Sequence, residues 1–296
     1  MSTDVIALIP ITLFAATVNG ALGYGFSSIT VPIALLFYTN RVLNPALVLV
    51  EVVLNSYLLF INRKSVPLAW KRVLPILLGL ILGIIAGSYI LSSANPGWLK
   101  FFTYAILLPL ILLQAAGVRR PIHYERAVGV PFGASVGVLY SVTTISGPPL
   151  ALMLNNQGFV KQEFRAALGI IRVAESTLTA TAYSFLGLYN VTSTRLLFSI
   201  VPSVAIGVPL GAYLIRWMPA ETFRRICMSF DAWVVGFGFS RVLIDLRLLV
   251  SPVAYSVWLA VVLIDAYLLY LYFTKHQKVR PAALTQPFES EPLRRR

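Results

Sequence analysis

Tyr140-Ser141-Val142-Thr143-Thr144-Ile145-Ser146-Gly147-Pro148-Pro149 interrupts an apolar segment, 127–157, that would otherwise read as one membrane helix. An earlier segment, 4–40, is broken in the same way by Asn19-Gly20-Ala21-Leu22-Gly23-Tyr24-Gly25. Each segment is long for one crossing of a hydrocarbon core about 30 Å thick and short for two. Whether each segment returns to its starting side decides the topology of everything that follows it.

The rest of the chain is built for lipid. Of its 296 residues 58% are hydrophobic and 12% charged, with a mean hydropathy of +0.80; a soluble domain is about a quarter charged. Full spans are predicted at 43–62, 73–93, 99–117, 166–188, 195–215, 226–246 and 252–273. The single cysteine, Cys227, excludes an internal disulfide. His123 and His276 fall in charged loops, so neither a Cys/His metal cluster nor a cofactor is expected. The start, Met1-Ser2-Thr3-Asp4, has no basic residues and no Ala-x-Ala pattern after it, and is read as retained. The net charge of +13 is scattered through short loops without aromatic interleaving, which argues against a nucleic-acid partner.

Those basic residues decide between a crossing and a hairpin, because cytoplasmic loops retain Lys and Arg. With both broken segments as hairpins, one side holds Arg63, Lys64, Lys71, Arg72, Arg119, Arg120, Arg126, Lys161, Arg165, Arg216, Arg224, Arg225, Lys275, Lys278, Arg280 and Arg294–Arg296, eighteen of the 24. The other side holds Arg41, Lys100, Arg195 and Arg247, and Arg172 and Arg241 lie within spans. With single crossings the split becomes 9 against 13. Hairpins are favoured, with the N-terminus outside and the C-terminus cytoplasmic.

A hairpin plus three spans is an odd number of crossings, so two such units in tandem face opposite ways, as in an inverted repeat. At an offset of 124, Gly83, Gly87 and Tyr89 match Gly207, Gly211 and Tyr213; at 117, Gly20, Pro32 and Leu35 match Gly137, Pro149 and Leu152. The predicted fold is an all-α integral membrane protein. Its first repeat is 1–117, a cytoplasmic linker follows at 118–126, the second repeat is 127–246, and an extra helix with a basic tail fills 247–296.

Asn19-Gly20-x-x-Gly23-x-Gly25-Phe26-(x)4-Val31-Pro32 and Gly133-x-x-x-Gly137-(x)9-Gly147-Pro148-Pro149 resemble the paired glycine-rich motifs of the sulfite exporter TauE/SafE family. Gly207-Val-Pro-Leu-Gly211-Ala-Tyr-Leu extends the resemblance over about 5–245. It implies transport of sulfite or of organosulfonates such as sulfoacetate, usually outward, by a prokaryotic inner-membrane protein.

The residues point to the same chemistry independently. A helix broken within a membrane exposes N–H groups at the start of its second half, which protein, water or a ligand must satisfy. The dipole at such an end favours a negative charge by roughly 0.3–2 kcal/mol. The second halves are predicted to start between Gly25 and Pro32 and between Thr143 and Pro149, with proline at the first helical position. The candidate anion ligands are Asn19, Gly23, Gly25, Ser27, Ser28, Thr143, Thr144, Ser146 and Gly147; the other reading of the hydroxyls is that they cap helices. Gly79, Gly83, Gly87, Gly129, Gly133 and Gly137, at four-residue spacing, read as helix packing.

Charges inside spans need partners or a wet cavity. Arg172 has Glu175 three residues on and Glu51 in the corresponding span of the first repeat. Either Arg172 contacts the anion with Glu51 or Glu175 as protonatable coupling groups, or an Arg–Glu pair holds the repeats together. Arg241 and Asp245 are spaced for an ion pair on one helix face, Asp231 is placed near the inner end within reach of water, and Asp265 lies outside the repeats.

No Gly-x-x-x-x-Gly-Lys-Ser/Thr is present, so nothing supports ATP as the driver. The expectation is a secondary transporter for a small anion, coupled to a proton or another ion. An anion channel is the nearest alternative. A membrane enzyme is the most distant, because no span carries a His or paired Asp constellation.

Overall fold

The computed structural model describes residues 3–23, 25–116, 125–156, 161–217 and 220–283. Tyr24, most of the 118–126 linker with Arg119, Arg120 and His123, and the tail from 284 with Arg294–Arg296 lie outside the described residues. Among the described residues the chain forms eleven α-helices and no strand: α1 Thr3–Leu22, α2 Phe26–Ala34, α3 Asn40–Ile61, α4 Val66–Ser93, α5 Pro96–Ala115, α6 Glu125–Thr143, α7 Gly147–Asn156, α8 Lys161–Phe185, α9 Val191–Leu214, α10 Ala220–Asp245 and α11 Ser251–Ala283.

Both broken segments become a long helix followed by a short return. The 20 residues of α1 precede nine in α2, and the 19 of α6 precede ten in α7, so the first helix of each pair is about twice as long as the second. The first is turned by glycine: Gly23 and Gly25 have φ of 82° and 108°, left-handed values open to a residue without Cβ. In the second, Thr144 takes φ 57°. Proline does not start α2 as predicted. Pro32 lies inside it, and in α7 Gly147 precedes Pro148 and Pro149, so positive-φ residues make the stops. Elsewhere the starts follow ordinary capping: the Asn95 and Asn190 side chains accept from Gly97 N and Ser193 N.

Among the described residues six helices are long and apolar enough to cross a membrane: 40–61, 63–93, 96–115, 191–214, 222–245 and 251–274. The span predicted at 166–188 falls on α8, which is long enough at 25 residues but too polar to join them. Its Arg172, Glu175, Ser176 and Thr179 are buried against protein, so lipid never meets them.

The halves grip one another crosswise. The first broken helix, α1, runs alongside α9, and the second, α6, alongside α4. Backbones touch at the glycines: a Cβ at Gly79 would run into Val130 O, at Gly83 into Ala134 O, at Gly133 into Ile76 O, at Gly20 into Val208 O and at Gly211 into Thr17 O. The four-residue glycine repeats are therefore the seams of the molecule. Within each seam the contacts rise together along both chains, so these helices are parallel.

The central pair is antiparallel. Leu59 of α3 meets Gly169 of α8, while Asn55 donates to Arg172 O at 3.2 Å and lies 3.5 Å from Ser176 Oγ. Corresponding helices of the two halves thus run in opposite directions, as an inverted repeat requires. Beyond the repeats, α11 packs on α10.

Candidate anion site at the crossing of the broken helices

Where α3 and α8 cross, four buried side chains meet around two carboxylates. Ser27, in the first turn of α2, donates to Glu51 Oε1 at 2.6 Å. Tyr140 near the end of α6 donates to Glu51 Oε2 at 2.6 Å, and Arg172 Nη2 to Glu51 Oε1 at 3.0 Å. Ser146, just ahead of α7, donates to Glu175 Oε1, which lies 3.9 Å from Arg172 Nε. Neither carboxylate is exposed at all, and Arg172 is 4% exposed.

The cluster is not fully satisfied. Arg172 Nη1 and Glu175 Oε2 are buried without a hydrogen-bond partner, and so is Oδ1 of Asn55, whose Nδ2 donates to Arg172 O; Thr179 of α8 and Asn19 of α1 are buried with unpartnered polar atoms as well. An unmet buried polar atom costs about 1–3 kcal/mol, so a concentration of them marks a place with spare capacity for a ligand. Arg172 and Asn55 also line a cavity of about 520 Å³ with Gly20, Gly23, Gly169, Arg165 and Arg224. That volume is within the usual range of small-molecule sites. It opens at the end of the bundle that carries the Arg63–Ser65 turn and Arg165.

The opposite end is sealed. Residues 140–150 are buried throughout. Asn40 and Asn44 both donate to Val142 O, at 3.2 and 2.6 Å, and Tyr183 donates to Ser141 O, so α3 and α8 hold the carbonyls that the end of α6 leaves unmet.

A model of the sulfite exporter TauE/SafE family matches residues 8–239. The chain belongs to the sulfite exporter TauE/SafE family. No curated protein and no solved structure matches it. The match takes in both breaks, the two carboxylates and Arg172, and ends within α10, so α11 lies beyond it. TauE/SafE proteins are membrane transporters of sulfite-like anions.

In this TauE/SafE chain the sequence candidates divide into two groups. Ser27, Ser146, Arg172, Glu51 and Glu175 meet in one cluster; Gly23 lines the open cavity, Gly147 begins α7, and Asn19 is buried with its amide unpartnered. The others serve the breaks. Thr143 Oγ1 accepts from Ile145 N at 3.1 Å and donates to Leu139 O, Thr144 donates to Thr143 O, and Ser28 donates to Gly25 O.

Tyr140 is an addition; its only sequence signal is its place at the head of the second break. Four charged residues differ from expectation. No ion pair joins Arg241 and Asp245, both exposed, where water competes and pairing gains little. Arg225, assigned to a loop, is buried in α10 and donates to Asp265 Oδ1 at 3.1 Å, while Trp233 Nε1 donates to Asp265 Oδ2. Asp231 is buried rather than solvated.

Proposed function

We propose that this TauE/SafE protein is a secondary transporter that moves sulfite or an organosulfonate such as sulfoacetate across a prokaryotic inner membrane by alternating access. Arg172 carries the proposal: it is buried, anchored through Nη2 to Glu51, and holds Nη1 unpartnered beside the cavity it lines. A planar guanidinium suits a multi-oxygen anion, and the unpartnered Asn19 amide extends the donor set.

Charge supports a coupled mechanism. One guanidinium faces two carboxylates, so an incoming anion would deepen a negative excess that a bound proton offsets. Glu51 and Glu175 are the groups that would carry it. With the Lys- and Arg-rich side taken as cytoplasmic, the cavity faces the cell interior, the N-terminus is outside and the C-terminus is inside. The crosswise halves supply the second state by exchanging conformations, which turns the sealed end outward and closes the open one.

The test is flux in proteoliposomes holding the purified protein. A pH gradient should drive sulfite or sulfoacetate to a higher concentration on one side. Flux that only dissipates a gradient would establish the channel alternative, and no flux of either anion would end the proposal.

A further inference from the structure

The first half-helix has a carboxylate on each side. Ser27 binds Glu51, while the next residue, Ser28, lines a second, much smaller cavity whose single acidic wall residue, among the described residues, is Asp231. At about 20 Å³ it has room for about one water. Two side chains, each 7% exposed, line it unpartnered. Gln114 Nε2 has no hydrogen-bond partner, and the Asp231 carboxylate forms neither a hydrogen bond nor an ion pair among the described residues. An unpaired carboxylate inside a membrane helix is hard to retain for packing alone.

We propose that Asp231 is a proton-binding site, which takes up and releases a proton through a single water shared with Gln114 and Ser28. A metal cation fits the cavity poorly. Hard cations need about six or more oxygens at fixed distances, whereas Asp231, Ser28 and Gln114 face walls of Val18, Leu22, Ile29 and Ile111. A proton needs no such shell.

Its route is visible in the walls. Among the described residues, Leu22 and Arg224 are the two that line both this cavity and the large open one. The guanidinium at that neck repels metal ions but leaves proton transfer along water possible. The groups facing Asp231 are few: Arg224 and Cys227 from α10, Gln114 from α5 and Ser28 from α2, while α1 and α7 contribute no titratable side chain.

Protonation would reach the half-helix directly. Ser28 spends its hydrogen on Gly25 O, so it can only accept from the cavity. A neutral Asp231 has an O–H of its own to offer, whereas an ionised one has none and draws the water's hydrogens to itself in competition with Ser28. The state of Asp231 therefore alters what holds the first turn of α2, the turn whose neighbouring serine binds Glu51. The part this plays in transport rests on the transporter reading; proton binding itself does not.

Infrared difference spectra of the purified protein in lipid, recorded across a pH series without any anion, test the site. The wild type is expected to show a carboxyl C=O band that titrates, Asp231→Asn to lose that band while eluting as a folded protein, and Gln114→Met to displace its midpoint by about one pH unit, the worth of one hydrogen bond to a charged group. A spectrum of Asp231→Asn that titrates as the wild type does would overturn the proposal. If that variant fails to fold, an unmoved midpoint in Gln114→Met overturns it instead. Absence of sulfite flux with the band intact would sink the transporter reading and leave the proton site standing.

Discussion

Ser27 and Ser146 occupy equivalent places in the two halves: each stands at the start of a short return helix and donates its hydroxyl hydrogen to a buried carboxylate, Glu51 for one and Glu175 for the other. The glutamates are separated by 124 residues, the offset that relates Gly83 to Gly207. The two-fold relation breaks at Tyr140, which donates to Glu51 while Glu175 Oε2 has no partner, and at Arg172, whose counterpart at that offset is Val48. A duplicated frame thus holds one unduplicated cation, and the predictions turn on it.

Replacing Arg172 by lysine keeps the charge and loses the planar fork. Affinity for sulfite, measured by calorimetry, is expected to fall about tenfold or more, the worth of one charge-assisted hydrogen bond, with assembly intact. Arg172→Gln should abolish flux and lower the folded yield, since an unpaired buried carboxylate costs about 3–5 kcal/mol. The double variant Arg172→Gln, Glu51→Gln should recover the yield but not the flux. Full transport by that double variant would assign Arg172 a purely architectural part.

Glu51→Gln removes a charge and leaves a group that still accepts from Ser27. The dependence of sulfite flux on pH should flatten while binding at one fixed pH changes little. An unaltered pH profile in both Glu51→Gln and Glu175→Gln excludes the two glutamates as proton carriers.

The seams and the break should respond to substitution in opposite ways. Gly83→Val sets side chain against the Ala134 backbone and should bring folded yield to background. At Gly23 a Cβ meets nothing within 4 Å but the φ of 82° remains, so Gly23→Ala should cost only about 1–2 kcal/mol and leave a soluble, monodisperse particle in detergent. Thermal melts of both variants provide the comparison.

Topology can be read by labelling single cysteines in a Cys227→Ser background. Ser65 and Trp217 should label from one side and Thr192 from the other. Labelling Ser65 and Trp217 from opposite faces would mean that the second broken segment crosses fully.

Much of this was legible in the residues. The breaks announced themselves through Gly23, Gly25 and Gly147, because chain that cannot stay helical stands out against apolar surroundings, and the glycine spacing of α4 and α6 marked seams without naming the partner across each. Arg172 stood out by the cost of burying a charge. The Arg225–Asp265 pair did not, because its members lie on different helices with no periodic relation, and Arg225 sits one turn inside α10, where sequence alone sees a loop. Pro32 misled for a physical reason: membrane helices tolerate proline in their interior, so it is weak evidence for a start.

The crosswise seams have a consequence for biosynthesis. The groove of α1 at Gly20 is filled by α9, whose contact residues, Val208 and Gly211, are made nearly two hundred residues later. As the chain leaves the ribosome, its first hairpin must wait in the bilayer with lipid tails where Val208 will lie, and Glu51 must wait for Tyr140 and Arg172. The early half is held in suspense by the late one, so a chain truncated before α9 should be a substrate for membrane quality control rather than half a transporter.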